Sequence, residues 1–436
     1  MGLSRIVRAV GAVALAGTAV AAGCFVDGFD VTGAAPGGAG GGGGGGGSAA
    51  SGGTGVGACQ HATWPGPPDD SDPGTNDIDF VVAARHLDFG EDVGVNESTV
   101  GYDLDNLCTC PDEAGCLVPD WAAGEPCDGP GGRDNAVAQL FGDFAVFDAT
   151  FTSETFSQFA EEGRGTVLIR VRDYNGQAND EQVTASLHPS PGLDADPCNG
   201  QDPVPVWDGS DRWPVTASSL NSAGGGGAGG GGAGGGGAGG GGAGSGGAGG
   251  QGGWGGASSG GGMGGTGGVE CGAGGYDIDD AKYLDDNAYV SDWVLVASLT
   301  KAALLMPTSD EPVAIKLTAG FVTGRIESQG SRWTLEDCQL VGRWALTDFL
   351  GMFGSMTSGG DPLCTDNPVY SMAKGLVCNY PDITSTIATP TTPCDSMSFG
   401  LTFRGEPAQI GSVHLTPPPV VFCPPETDPA NDTCGP

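Results

Sequence analysis

Alternating apolar and polar positions recur along this chain and predict short β-strands. A period of two, typical of a strand with one buried face, is found at 78–82, 167–171, 183–187 and 397–403. The second and third of these segments flank a turn region containing Asn175-Gly176, which predicts a hairpin. Apolar runs at 289–299, 313–317 and 321–326 predict three further strands, and 410–415 continues the strand predicted at 397–403.

Helical spacing of apolar residues appears in four places. Asp134 precedes a run with spacing i, i+3, i+4, i+7 and is predicted to cap a helix, and a second helix is predicted near Ser153. A third is predicted at 346–353. Asn367 followed by Pro368 predicts the start of a fourth. Its predicted buried face carries Val369, Met372, Ala373 and Leu376.

Two glycine-rich tracts interrupt the ordered sequence. They hold many of the 85 glycines, and the second repeats Ala-Gly-Gly-Gly-Gly. Such composition cannot bury a core, so we expect disorder there. The predicted organisation is a signal peptide (1–23), a lipidated cysteine with its tether (24–57), the first half of a β-rich body (58–221), a Gly/Ala-rich insertion (222–275), the second half (276–416) and a Pro-rich irregular tail (417–436).

The fold class follows from the balance of these elements. Strands dominate both halves, and neither half shows the regular strand–helix alternation of a doubly wound fold. We therefore predict a mainly β fold with short helices. The two segments together would form one jelly-roll or lectin-like β-sandwich around the disordered insertion. Two small α+β domains are the alternative.

The N-terminus carries an export signal. Arg5 and Arg8 precede an apolar stretch that is too short to span a bilayer, and the stretch ends at Val20-Ala21-Ala22-Gly23-Cys24. This ending resembles the lipobox of bacterial lipoproteins, although Ala21 stands where Leu, Val or Ile is usual. The resemblance implies lipidation of Cys24. Because Phe25 rather than Asp follows, it also implies an outer-membrane or cell-surface location. An ordinary secretory signal is the alternative.

Charge limits the partners that the protein can have. With 16 basic and 53 acidic residues the net charge is −37, which opposes binding to nucleic acid or to anionic headgroups. The lipid on Cys24 would then be the membrane contact. Cations are the natural counter-species, and calcium is the first to consider, although an acidic surface also simply keeps an exported protein soluble.

The 14 cysteines predict disulfides, because an exported protein meets an oxidising environment. The disulfide candidates are Cys108, Cys110, Cys116, Cys127, Cys198, Cys338, Cys364, Cys378, Cys394 and Cys423. Lipidation of Cys24 leaves an odd number, and Cys59, Cys271 and Cys434 are the candidates for the unpaired residue. The spacing of Cys108, Cys110, Cys116 and Cys127 does not fit the usual zinc motifs.

Cys364 and Cys378 bracket the helix predicted after Asn367. At 1.5 Å per residue such a helix separates them by about 20 Å, whereas a disulfide needs Cα atoms within about 7 Å. We therefore predict that they pair elsewhere, with Cys338 and Cys394 as the suggested partners.

The densest polar cluster is the candidate calcium site. Hard cations take several carboxylate and carbonyl oxygens on a turning backbone. The proposed ligands are Asp103, Asp105, Asn106, Asp128 and Asp134. The EF-hand pattern is absent. The competing interpretation is a disulfide-bonded loop whose Asp and Asn residues cap turns and a helix.

Signals for catalysis are few. None of the four histidines lies in a metal motif, and no Gly-x-Ser-x-Gly elbow or phosphate loop is present, so no catalytic residue is predicted and enzymatic activity is left open. Trp207 and Trp213, flanked by Asp and Arg, are candidates for stacking on a glycan, or else core residues.

Together, the lipobox, the glycine tracts, the cysteines and the strand pattern resemble those of uncharacterised glycine-rich exported bacterial lipoproteins with β-sandwich-like bodies. The resemblance implies a lipid-anchored cell-envelope protein with a structural role or one in binding a ligand, such as a glycan or another envelope component. A secreted hydrolase acting on polysaccharide is the alternative, because Asp and Glu are abundant.

Overall fold

The computed structural model describes residues 60–75, 77–93, 97–109, 115–122, 127–147, 152–193, 203–222, 276–306, 312–358, 360–386, 391–415 and 422–435. The predicted signal peptide, Cys24, the tether and almost all of the glycine-rich insertion lie outside these residues.

The described residues form four α-helices and thirteen β-strands. The helices are α1 (Ala136–Phe147), α2 (Ser153–Glu161), α3 (Leu346–Met352) and α4 (Pro368–Val377). The strands are β1 (Ile78–Asp88), β2 (Thr166–Tyr174), β3 (Asp180–Ser190), β4 (Arg212–Thr216), β5 (Leu220–Ser222), β6 (Tyr276–Ala281), β7 (Leu284–Ser291), β8 (Val294–Met306), β9 (Val313–Gln329), β10 (Arg332–Ala345), β11 (Thr357–Ser358), β12 (Asp361–Pro362) and β13 (Ser396–His414). None of the described helices combines the length and apolar character needed to cross a bilayer.

The main sheet closes into an eight-stranded antiparallel barrel. Its strands follow the order β1-β2-β3-β7-β8-β9-β10-β13, and β13 pairs again with β1. Strand β13 runs over 19 residues, pairing with β10 and β1 and then, in parallel, with β4. Long strands with shifts in register let the sheet coil far enough to close.

The prediction of a mainly β body built from both segments is confirmed, because β3 pairs with β7 and β1 pairs with β13. The predicted sandwich differs from this arrangement, since most barrel strands pair with their neighbours in sequence order and leave no second facing sheet. β5 and β6 pair where the insertion begins and ends: Ser222 lies opposite Tyr276.

The barrel and the helices share one core. Buried apolar side chains of α1, α3 and α4 belong to the same cluster as Val82, Ile169 and Leu340 of the strands. A second cluster covers part of the outer face, where Ala83 and Leu168, which are cross-strand partners, pack with Trp213 of β4. Strands β1 and β2 are therefore apolar on both faces over this region.

Two predicted strand boundaries are wrong. The segment 289–299 is two strands, because Asp292 and Trp293 adopt φ of 51° and 68° and reverse the chain between β7 and β8. The predicted strands 313–317 and 321–326 are one continuous strand, β9. The predicted β2–β3 hairpin is confirmed.

The helix predicted after Asn367 is confirmed, and the Asn367 side chain accepts the backbone N–H of Val369. Its predicted buried face is half right, since Ala373 is buried and Leu376 packs against the core. Val369 and Met372 are exposed, whereas Tyr370 and Val377 are buried together with Ala373. The helix is therefore rotated so that its aromatic residue, not the apolar pair, faces the core.

Three disulfides join distant parts of the described chain: Cys116–Cys394, Cys364–Cys423 and Cys378–Cys434. The prediction that Cys364 and Cys378 do not pair with each other is confirmed, but the suggested partners are wrong. Cys434, a candidate for the unpaired residue, is bonded.

Cys338 corrects another expectation, because it is a free thiol buried in the core and forms no disulfide. Cys108 and Cys127 are disulfide-bonded. Cys59, Cys110, Cys198 and Cys271 lie outside the described residues.

Candidate metal centre

The loops between β1 and α1 bring together three of the five proposed calcium ligands. Carboxylate oxygens of Asp103, Asp105 and Asp134 lie within 4.8 Å of one another. Backbone hydrogen bonds hold the two loops side by side, since the N–H of Asp134 donates to the carbonyl of Tyr102 at 3.0 Å. Residues separated by thirty positions in the sequence thus face each other.

Asp103 is the most buried carboxylate of this group, with a side chain that is 0% exposed. One of its oxygens, Oδ2, contacts Nδ1 of His61. The other, Oδ1, is buried and has no hydrogen-bond partner. A buried carboxylate oxygen without a partner is costly unless a cation or a proton compensates it.

Asp134 and Asp105 each use one oxygen to fix the loop. Asp134 Oδ2 accepts the N–H of Leu104 at 2.6 Å, and Asp105 Oδ1 accepts the N–H of Leu107 at 2.9 Å. The predicted capping of α1 by the Asp134 side chain is therefore wrong, and the first N–H of α1, from Ala136, instead donates to Oγ of Ser398.

Two more carboxylates extend the acidic group. Asp128 Oδ2 accepts the N–H of Thr109 at 2.5 Å. Asp382, which sequence analysis missed, is buried and accepts the N–H of Ser398 at 2.7 Å. The Cys116–Cys394 disulfide ties the segment after β12 to the first half of the chain and holds Asp382 beside the cluster.

Burial raises the pKa of these carboxyls. Loss of solvation, followed by repulsion from neighbouring carboxylates, raises the pKa of Asp128 to about 7 and that of Asp134 well above its ordinary value. Burial likewise raises the pKa of Asp382 to about 7 and raises that of Asp105. These shifts favour the protonated carboxyls in the absence of a cation, so the fold alone does not stabilise the charged form of the group.

Arg343 of β10 is a cation that faces this group. Its guanidinium donates to the carbonyl oxygens of Leu104 at 2.9 Å and Thr384 at 2.7 Å, and it favours the charged form of Asp105. One positive charge is too little to balance five carboxylates, so the group as a whole favours an additional cation.

Glycines let the loops approach closely. A Cβ on Gly132, whose φ is 70°, would lie 2.8 Å from the carbonyl of Leu107 and 3.1 Å from Oδ2 of Asp103. A Cβ on Gly115 would lie 1.9 Å from Oδ2 of Asp105. Any other residue at these positions would push the loop away from the carboxylates.

The donor set fits a hard cation. His61, Asp103 and Cys108 also form a group of metal-ligand type, but Cys108 is disulfide-bonded and supplies no thiolate. Carboxylate oxygens remain, and they suit calcium better than a thiophilic metal. Asn106, the fifth proposed ligand, is exposed and has a φ of 62°. Asparagine tolerates this left-handed conformation, so we assign Asn106 to the turn rather than to the metal site.

The two tryptophans proposed for glycan stacking form a packed pair instead. Trp213 is fully buried, and its ring centroid lies 5.5 Å from that of Trp207. The guanidinium of Arg85 covers the Trp207 ring at 5.1 Å. Trp213 thus offers no face to a sugar, which corrects that expectation, and the alternative of core residues describes it better.

No family model, curated protein or solved structure matches this chain.

Proposed function

We propose that this protein is an exported, lipid-anchored cell-envelope protein whose β-rich body holds a calcium ion and binds a glycan or another envelope component without transforming it. The observation that carries the calcium proposal is Oδ1 of Asp103, which is buried without a partner beside the oxygens of Asp105 and Asp134. The body would then be lectin-like in role, although its sheet is a closed barrel.

Calcium offsets the excess charge in a way that a proton does not. A bound proton neutralises one carboxyl, whereas calcium accepts six to eight oxygens and draws several carboxylates together. Asp103, Asp105 and Asp134 would supply the first ligands, and Asp128 and Asp382 would add negative charge around them. The ion would supply electrostatic stabilisation and order these loops.

Calorimetric titration of the non-lipidated Cys24→Ala protein with calcium tests this role. We expect binding of one calcium ion per chain, and at a calcium concentration 100-fold above Kd a gain of about 2.7 kcal/mol in the free energy of unfolding. Asp103→Asn should abolish the heat of binding. Asp366→Asn, at an exposed aspartate with no such neighbours, is the matched control and should bind like the parent. Absence of binding, with melting unchanged by chelator, would refute the proposal.

The anchor is proposed on sequence grounds. Lipid on Cys24 would anchor the protein at the outer membrane or cell surface. The lipid would be its membrane contact, because anionic headgroups repel the acidic body. Labelling of cells with a palmitate analogue should mark the wild type and not Cys24→Ala. Label retained in that variant would contradict lipidation at this position. Nucleic acid is not a proposed partner, given the net charge of −37.

A polysaccharide-acting hydrolase is the second candidate, and the raised pKa of Asp128, about 7, is what favours it. The Asp128 carboxylate accepts the N–H of Thr109 and lies among other carboxyls, outside the lining of the cavity formed by Arg133, Gln139 and Asp143. Incubation with envelope polysaccharides distinguishes the two, because a binding protein leaves the chains intact and a hydrolase releases reducing ends.

A further inference from the structure

A cavity of about 290 Å³ lies beside the first two turns of α1, next to the loops of the calcium site. Loops after β1, the 129–133 turn, α1 and the segment after α4 contribute to its walls. Its polar lining includes the side chains of Glu91, Ser98, Arg133, Gln139, Asp143 and Tyr380. Its size is at the lower end of that of ligand pockets and suits a single sugar ring.

Arg133 is the cation of this cavity. Its guanidinium donates to the carbonyl of Gly101 and lies 5.9 Å from the centre of the Tyr102 ring. It forms no ion pair with a carboxylate among the described residues. In so acidic a chain, an arginine without a carboxylate partner in a cavity wall indicates an anion-binding position.

The first turn of α1 also favours an anion in this cavity. Ala138 and Gln139 line the cavity, and the N-terminal turn of a helix carries partial positive charge. Asp134 is next to Arg133 in the sequence, and a calcium ion bound by Asp103 and Asp134 would offset the negative charge that these carboxylates place near an anion in the cavity.

The carboxylates of the cavity limit the anion to a single charge. Glu91 accepts hydrogen bonds from the backbone N–H and the Oγ of Ser153, both at 2.5 Å, and Asp143 accepts one from the hydroxyl of Tyr380. Both remain negative neighbours that would repel a dianion, whereas their spare lone pairs can accept sugar hydroxyls.

We propose that this cavity binds one uronic acid residue, with Arg133 pairing to its carboxylate and the other polar side chains contacting its hydroxyls. The inference rests on the proposed binding role and adds its position and ligand class. The guanidinium matches a carboxylate through two parallel hydrogen bonds, and neutral sugars lack this group.

Titration of the full-length Cys24→Ala protein with sodium D-glucuronate, D-glucose and sodium sulfate, in saturating calcium, tests the proposal. We expect glucuronate to bind and glucose not to bind, and Arg133→Gln to weaken glucuronate binding at least about tenfold. Arg332→Gln removes an equal charge at an exposed position and should match the parent. Gln139→Trp fills the cavity and keeps Arg133, so it should also abolish glucuronate binding. It tests the cavity even if Arg133→Gln does not fold.

Three results would overturn the inference: no glucuronate binding by the folded parent, equal binding by the cavity variants, or sulfate binding as tight as that of glucuronate. The heat of calcium binding, measured on calcium-free portions of the same preparations, separates the two proposals. If the calcium heat persists while glucuronate fails to bind, the cavity inference alone is refuted. If glucuronate binds without any calcium heat, the calcium site alone is refuted.

Discussion

Gly324 on β9 leaves little room beside the buried thiol of Cys338 on β10. A Cβ at position 324 would lie 2.8 Å from Cys338 Sγ and 3.4 Å from Cβ of Leu335. Overpacking a core in this way typically costs about 1–3 kcal/mol. We therefore expect Gly324→Ala to lower the free energy of unfolding by that amount, measured by urea denaturation.

A double-mutant cycle provides the control. Cys338→Ala removes the sulfur that the new methyl would meet, so Gly324→Ala should cost less in that background than in the wild type. Cys338 forms no disulfide, so its removal does not break a cross-link. Strictly additive effects of the two substitutions would show that contact with the Cys338 sulfur is not what destabilises Gly324→Ala.

His188 makes stability depend on pH. It is fully buried beside Oγ of Ser186, 2.9 Å from its Nε2. Burial lowers its pKa to about 4, Arg170 and Arg172 contribute in the same direction, and Asp279 opposes them. The unfolded chain then binds a proton near pH 6.5 while the folded protein does not. Stability should therefore fall by about 3 kcal/mol between pH 6.5 and 4 from this residue alone.

His188→Gln isolates that contribution, because glutamine keeps an amide near Ser186 and does not titrate. Other carboxyls titrate over the same range, so the quantity to measure is the difference in unfolding free energy between wild type and variant. We expect this difference to shift in favour of the variant by about 3 kcal/mol from pH 7 to pH 4. A constant difference would mean that His188 has the same pKa in the folded and the unfolded protein.

The sequence could predict the local part of the acidic site and not the distant part. Asp103, Asp105 and Asp134 lie in one polar stretch and converge as expected. Asp382 comes from beyond the insertion, and its segment is held close by the Cys116–Cys394 disulfide and by Arg343, which donates to both Leu104 and Thr384. The composition around Asp382 shows no sign of this pairing, because contacts made across a barrel are set by strand order.

At the scale of elements, periodicity located most strands and helices, and the misses have specific causes. Asp292-Trp293 is not a usual turn sequence, so two strands with a two-residue connection looked like one. On α4 the apolar pattern suggested a face that is only half right, because Tyr370 and Lys374 are held by Asp432 of the C-terminal segment. Neither effect is encoded within the element itself.

The Cys378–Cys434 and Cys116–Cys394 disulfides should differ in their effects on calcium binding, although both stabilise the fold. Replacing Cys378 and Cys434 by serine opens a link between residues 56 positions apart, which the chain-entropy account values at about 4 kcal/mol. We expect the free energy of unfolding to fall by that order in denaturant titrations. Calcium affinity should be unchanged, because this link lies at the C-terminal segment and not at the acidic loops.

The matched variant replaces Cys116 and Cys394. This link holds Asp382 and the segment after Cys116 beside the carboxylates, so calorimetry should show weaker calcium binding as well as lower stability. Equal calcium affinity in both double variants would indicate that the acidic group assembles without the disulfide.

At the scale of the whole molecule, the pairing of both segments in one body could be predicted because each half has too few strands alone. The closure of the sheet could not, since it depends on β13 being long enough to pair with β10, β1 and β4 in turn. The sequence shows the period of that strand but not its partners.

The pairing of β5 with β6 means that the glycine-rich segment enters and leaves the body at neighbouring points. Ser222 lies directly opposite Tyr276, so residues 223–275 can be replaced by an Asn-Gly turn without moving either strand. Loop-closure entropy changes by about 0.6 kcal/mol per doubling of loop length, so the shortened protein should be about 3 kcal/mol more stable, measured by urea denaturation. A linker of the same length built from Gly and Ser is the control and should match the wild type. If the Asn-Gly variant unfolds or separates into two independent transitions, the two segments do not form one cooperative barrel.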